Sequence, residues 1–69
     1  MAGDASLIGS IGVLIIATRG EAGPGEVLLS VRGGTEAFAA WSDEPVPRHS
    51  RVVVVECMSA RSVVVTRLP

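Results

Sequence analysis

The sequence predicts an all-β fold, a small five-stranded barrel, and three observations carry that expectation. Residues 23–42 read as a turn, a strand, a tight glycine turn and a returning strand. Short valine-rich runs follow at 51–56 and 62–68, each bounded by turn residues. No stretch makes a credible helix, so the pattern is that of a β-barrel or sandwich. Every other apolar segment is too short to stand alone and must pair with the 23–42 ribbon.

Taken in order, residues 1–6 are small and polar and form a disordered tail, with one domain over residues 7–69. Residues 7–12 lead into strand one at 13–18, whose apolar side chains fall on both faces. Such a strand is covered on both sides or lies against a partner, and it could pair with a second copy of the chain. Gly9 and Gly12 mark a bulge, or the coil that lets one long strand serve both halves of a barrel. Residues 19–25 are a polar, glycine-rich loop in which Pro24 fixes φ.

In strand two Val27, Leu29 and Val31 alternate with Glu26, Ser30 and Arg32, giving an apolar and a mostly polar face. Gly33-Gly34 is read as the two-residue hairpin loop, since both positions accept positive φ. The returning strand, from Thr35 to Trp41, carries the only Phe and the only Trp. Its alanines would allow a helix, but the preceding glycines and Pro45 favour a strand. Asp43-Glu44-Pro45 ends it, because proline cannot donate to a ladder. Val46, between two prolines, is an apolar plug under the 42–50 loop. Strand four covers 51–56, residues 58–61 turn, and strand five covers 62–68.

Composition narrows the function classes. Sixty-nine residues make one domain with a thin core and a stability of roughly a few kcal/mol. Cys57 is the only cysteine and His49 the only histidine, which excludes an internal disulfide and argues against structural zinc. There is no Lys, all six basic residues are Arg, and the net charge is −1. That balance argues against general nucleic-acid binding. The apolar run at 7–17 is shorter than the ~20 residues of a membrane-spanning helix, and the N-terminus lacks the marks of a signal peptide. The lone thiol fits a reducing compartment.

The ordered set of signals resembles the soluble C-terminal domain of NfeD-like proteins. The family opens on Leu-hydrophobic-Gly-x-x-Gly-hydrophobic, here Leu7-Ile8-Gly9-Ser10-Ile11-Gly12-Val13. A Thr and a Pro/Gly turn follow, here Thr18 and Gly23-Pro24-Gly25-Glu26-Val27. After a glycine turn comes aromatic-x-Ala, here Phe38-Ala39-Ala40. A hydrophobic residue and a Val-x-Val strand match Val46, Val52 and Val54, and the last strand matches Val63, Val65 and Leu68. Two glycines of the pattern are missing. His49 stands before strand four, and Met58-Ser59-Ala60 fill the turn after it. The hairpin loop is also longer by about one residue, which leaves the register of residues 35–37 open.

The resemblance implies a five-stranded OB-fold barrel that acts as a non-enzymatic protein–protein interaction or scaffold domain, with no cofactor. Its implied partner is a stomatin- or flotillin-like membrane protein. The implied place is cytoplasmic, at the membrane face, through that partner or through segments outside this chain. The alternative is a stand-alone OB module binding single-stranded nucleic acid.

The residues themselves offer little chemistry. His49 with Ser50 and Asp43 suggests a hydrolytic triad, but no nucleophile elbow or oxyanion hole accompanies them. Cys57 beside Arg61 reads as a part-buried small residue at a barrel end. Gly9 and Gly12 are not followed by a phosphate-loop Lys. Phe38 and Trp41 have odd spacing, so they face opposite sides of a strand. Phe38 is assigned to the core. Trp41 is then the partner-contact candidate, with Arg48 and His49 of the following loop. The arginines at 32, 48, 51, 61 and 67 are expected to pair on the surface with Glu26, Glu36, Glu44 and Glu56, contributing little.

Overall fold

A computed structural model describes residues 7–69; the tail expected at 1–6 lies outside the described residues. Five strands form a closed barrel in the order β1-β2-β3-β5-β4. They are β1 (Ile11–Ile16), β2 (Gly25–Val31), β3 (Gly34–Trp41), β4 (Arg51–Ser59) and β5 (Ser62–Arg67). Neighbours are antiparallel except β3 and β5, which run parallel through only three pairs, ending with Trp41 opposite Val64. This is the small barrel the sequence predicts.

Alternation builds the core. Val27 and Leu29 from β2, Val52 and Val54 from β4, and Val63 and Val65 from β5 point inward and are fully or almost fully buried. Leu14 enters from β1 and Phe38 from β3, and Val46 plugs one end from its loop. β1 is the strand that closes the cylinder, because it pairs with β2 on one side and β4 on the other. Gly12 makes that possible. A Cβ there would collide with the Leu28 carbonyl and lie 2.7 Å from a Leu29 methyl. Gly9, just before the strand, takes φ 93° and donates its N–H to the Val54 carbonyl at 2.8 Å.

Several boundaries differ from the sequence reading. The hairpin turn is Arg32-Gly33, not Gly33-Gly34, with φ 47° and 82°, and Val31 faces Gly34 across the first rung. Both positive φ values belong to the primed turn that matches strand twist, and closing the ladder there keeps Val27 opposite Phe38. β1 begins two residues earlier and stops at Ile16, since Thr18 leaves the ladder for a buried hydrogen-bond cluster. β4 runs on to Ser59, accommodated by register shifts between Val54 and Glu56 and between Cys57 and Ser59. β5 ends at Arg67 rather than Leu68. A short 3-10 turn (Gly20–Ala22) occupies part of the predicted loop.

Candidate functional site

The outer face of β1 is apolar and uncovered. Ile11 and Val13 point away from the core and are 52% and 41% exposed. Val13 lies opposite Leu28 of β2, and Ile11 lies opposite Val53 of β4. Cross-strand partners share a face, so Leu28, Val13, Ile11 and Val53 form one stripe across three strands. β1 is thus apolar on both faces, as its sequence reads, yet the described residues cover only the inner one.

The stripe leads to a groove. Val53 pairs with Thr66 of β5, and Thr66 is on the rim. The groove encloses about 560 Å³ between the end of β5 and the loop that leaves β3. It exists because β3 stops at Trp41 while β5 continues to Arg67. A buried polar cluster holds the loop aside. Thr18 and Ser42 are 2% and 8% exposed, and their hydroxyl oxygens lie 2.6 Å apart. The Ser42 hydroxyl donates to the Glu44 carbonyl at 2.7 Å, and the Val46 N–H donates to Thr18 Oγ1 at 2.8 Å. The Thr18 N–H donates in turn to the Val46 carbonyl at 3.0 Å. Asp43 and Glu44 thereby sit on one wall and Arg67 on the other.

The sequence profile of the NfeD C-terminal domain matches residues 11–66. The chain belongs to the NfeD C-terminal domain family. Its structure is similar to the soluble domain of the NfeD protein YuaF from Bacillus subtilis, with 29% identity and a TM-score of 0.75 over 90% of this chain and 74% of that one. It is also similar in fold to the C-terminal domain of stomatin operon partner protein 1510-C from Pyrococcus horikoshii. There the identity is 24% and the TM-score 0.73, over 100% of this chain and 98% of the other. No curated protein sequence matches the chain.

In this NfeD domain the three residues singled out from sequence lie on two elements, the end of β3 and the turn before β4. Trp41 is half-buried at the end of β3, on the face opposite Phe38. Arg48 and His49 are exposed in the turn before β4. That turn is tied to β1, since the His49 N–H donates to the Leu14 carbonyl at 2.8 Å and the Leu14 N–H to the Ser50 carbonyl at 3.0 Å. No hydrogen bond among the described residues joins Trp41 to either of them. The glycine expected in this turn from the family pattern is replaced by His49, which takes φ 76°.

The other candidates resolve similarly. Asp43, His49 and Ser50 make no hydrogen bonds to one another through their side chains, so no triad is assembled. Phe38 and Trp41 offer no joint stacking platform, because Phe38 is inside the barrel at 5% exposure. Cys57 is half-buried near the end of β4. Of the expected surface ion pairs, only Arg61 with Glu36 forms among the described residues, at 3.4 Å. The arginine also stands 5.6 Å from the Phe38 ring centroid and donates to the Ala37 carbonyl at 3.4 Å, covering the edge of β3 where β5 has not yet begun. Among the described residues no group of His, Cys, Asp and Glu could hold a metal ion, and no helix is long and apolar enough to cross a membrane.

The β1 part of the stripe is legible in the sequence as a doubly apolar strand that lies against a partner, whereas Leu28, Val53 and the Thr18–Ser42 cluster are not legible as parts of a site. For the cluster there was only a hydroxyl residue at the end of each of two apolar runs, which locates no contact.

Proposed function

We propose that this NfeD domain is a non-enzymatic docking module for a stomatin-like membrane protein, working on the cytoplasmic side of the membrane. The observation that carries the reading is the exposed stripe of Leu28, Val13 and Ile11, continued on β4 by the half-buried Val53. A chain this small gains by burying β-branched side chains, and a contiguous apolar band left outside marks an interaction surface. Family membership supports the direction of the reading, and one structural neighbour is named as a stomatin operon partner protein. A nucleic-acid reading finds less support, because it needs stacked aromatics along a basic groove.

The test is a chemical-shift titration of the ¹⁵N-labelled domain. One arm adds the soluble region of a stomatin-like protein from the same organism; the other adds single-stranded DNA or RNA. Saturable shifts at Ile11, Val13, Leu28 and Val53 with the protein alone are expected. Shifts with nucleic acid that weaken as salt rises, and none with the protein, would overturn the reading.

A further inference from the structure

The seam between β3 and β5 is the one parallel join of the barrel. It has three residue pairs, as many as β1 makes with β2 or with β4, and each strand overruns the other. At one end β3 extends past the start of β5, and the Arg61 guanidinium covers that edge through the Ala37 carbonyl. At the other end β5 extends past Trp41 for three residues, 65–67, and that edge faces the groove.

The direction of the free backbone groups follows from the ladder. The Leu68 N–H donates to the Arg51 carbonyl of β4 at 2.9 Å. Successive residues of a strand present their backbone groups to opposite sides. The Arg67 N–H and C=O therefore point away from β4, into the space where β3 would lie had it continued. The parallel rungs likewise use the Val65 N–H toward Trp41 and leave the Val65 C=O beyond the last rung.

An edge of this kind selects its occupant by shape. A side chain cannot satisfy a row of alternating donors and acceptors, whereas an extended backbone can. The walls select further. Val64 and Val55 offer apolar contact, and two acidic residues, Asp43 and Glu44, line the groove from the loop, with Arg67 lining it from β5.

We propose that the β5 edge at residues 65–67 receives an extended peptide segment of the protein partner, which adds a short strand in line with β3. The segment carries apolar residues against Val64 and Val55 and a basic residue against Asp43 and Glu44. This rests on the docking function proposed above and deepens it. The stripe holds the body of the partner, and the groove, which the stripe reaches through Val53 and Thr66, holds one of its strands.

The experiment uses the whole chain and the soluble region of a stomatin-like protein from the same organism as the probe. Hydrogen exchange of the Arg67 amide is followed in the free and saturated domain, and affinity is compared for wild type and Arg67→Pro. Proline there removes an outward-facing N–H while the barrel ladder is kept, and Arg67→Ala, which loses the same side chain but keeps the N–H, is the reference against which its affinity is read. The proposal expects exchange at Arg67 to slow about tenfold or more on binding, and Arg67→Pro to weaken binding about tenfold or more. Asp43→Asn combined with Glu44→Gln is expected to weaken binding and flatten its salt dependence. If wild type binds but Arg67 exchange is unchanged, the strand-addition proposal is overturned while the docking function stands; this readout needs no variant to fold. If wild type does not bind, both are overturned. Protection of Arg67 that rises with domain concentration without the probe would replace the partner's strand with a second copy of this chain.

Discussion

The hydroxyl oxygens of Thr18 and Ser42, 24 residues apart in the chain, meet 2.6 Å from each other in a buried end of the barrel. Together they satisfy the Val46 N–H and the Glu44 carbonyl. Replacing Thr18 by Val keeps the shape but strands the Val46 N–H, while Ser42 keeps its bond to the Glu44 carbonyl. Leaving buried polar groups unpaired costs about 1–3 kcal/mol, which lowers the melting temperature of so small a domain by about 5–15 °C. Thr18→Ser, which keeps the oxygen, is expected to lose less. Thermal unfolding of Thr18→Val at the wild-type temperature would remove the cluster from the account.

Gly12 predicts a larger loss. In Gly12→Ala the added methyl meets the Leu28 backbone carbonyl, which no rotamer change relieves. Overpacking of this kind costs about 1–3 kcal/mol or more, a large part of the stability of a domain this size. Urea unfolding is expected to show a markedly lower midpoint with an unchanged slope.

His49 predicts a gain. Its φ of 76° is unfavourable for a residue with a Cβ, by about 1–2 kcal/mol. Glycine removes that strain but adds unfolded-state entropy of about 0.4–1 kcal/mol. His49→Gly is therefore expected to be more stable by about 0.5–1 kcal/mol in denaturant unfolding. A loss of stability would mean that the imidazole supports the turn in a way its backbone bond to Leu14 does not.

The lid formed by Arg61 is a weak device beside the ring it covers. Its side chain is 69% exposed, so Arg61→Ala is expected to cost no more than about 1 kcal/mol, less at high salt. Phe38→Ala empties the middle of the core and is expected to cost about 3–5 kcal/mol. Melting curves of the two variants side by side check the ordering.

These contrasts indicate what the sequence made legible. Alternation in 26–32 and the valines at 52, 54, 63 and 65 are period-2 signals, and each side chain faces as that period dictates. Phe38 could be placed inside because Trp41 has odd spacing from it. Turn positions were harder. Two adjacent glycines drew the hairpin loop to Gly33-Gly34, whereas strand pairing between Val31 and Gly34 left Arg32 to take the positive φ. The site was least legible, because both its parts arise from differences between strands. The stripe requires knowing that Leu28 and Val53 flank β1, and the groove requires knowing that β5 outruns β3. Trp41, Arg48 and His49 stand out by residue type, and type says nothing about which strand ends stand together.

The most direct measurement is the affinity of the domain for the soluble region of a stomatin-like protein from the same organism, for wild type and for Ile11→Thr combined with Val13→Thr. Threonine keeps the β-branched shape and strand preference while removing apolar surface from the stripe. The account predicts that the double variant binds about tenfold or more weakly and unfolds within about 1 kcal/mol of wild type, since both side chains point outward. Equal affinities, or no binding by the wild-type domain, would contradict it.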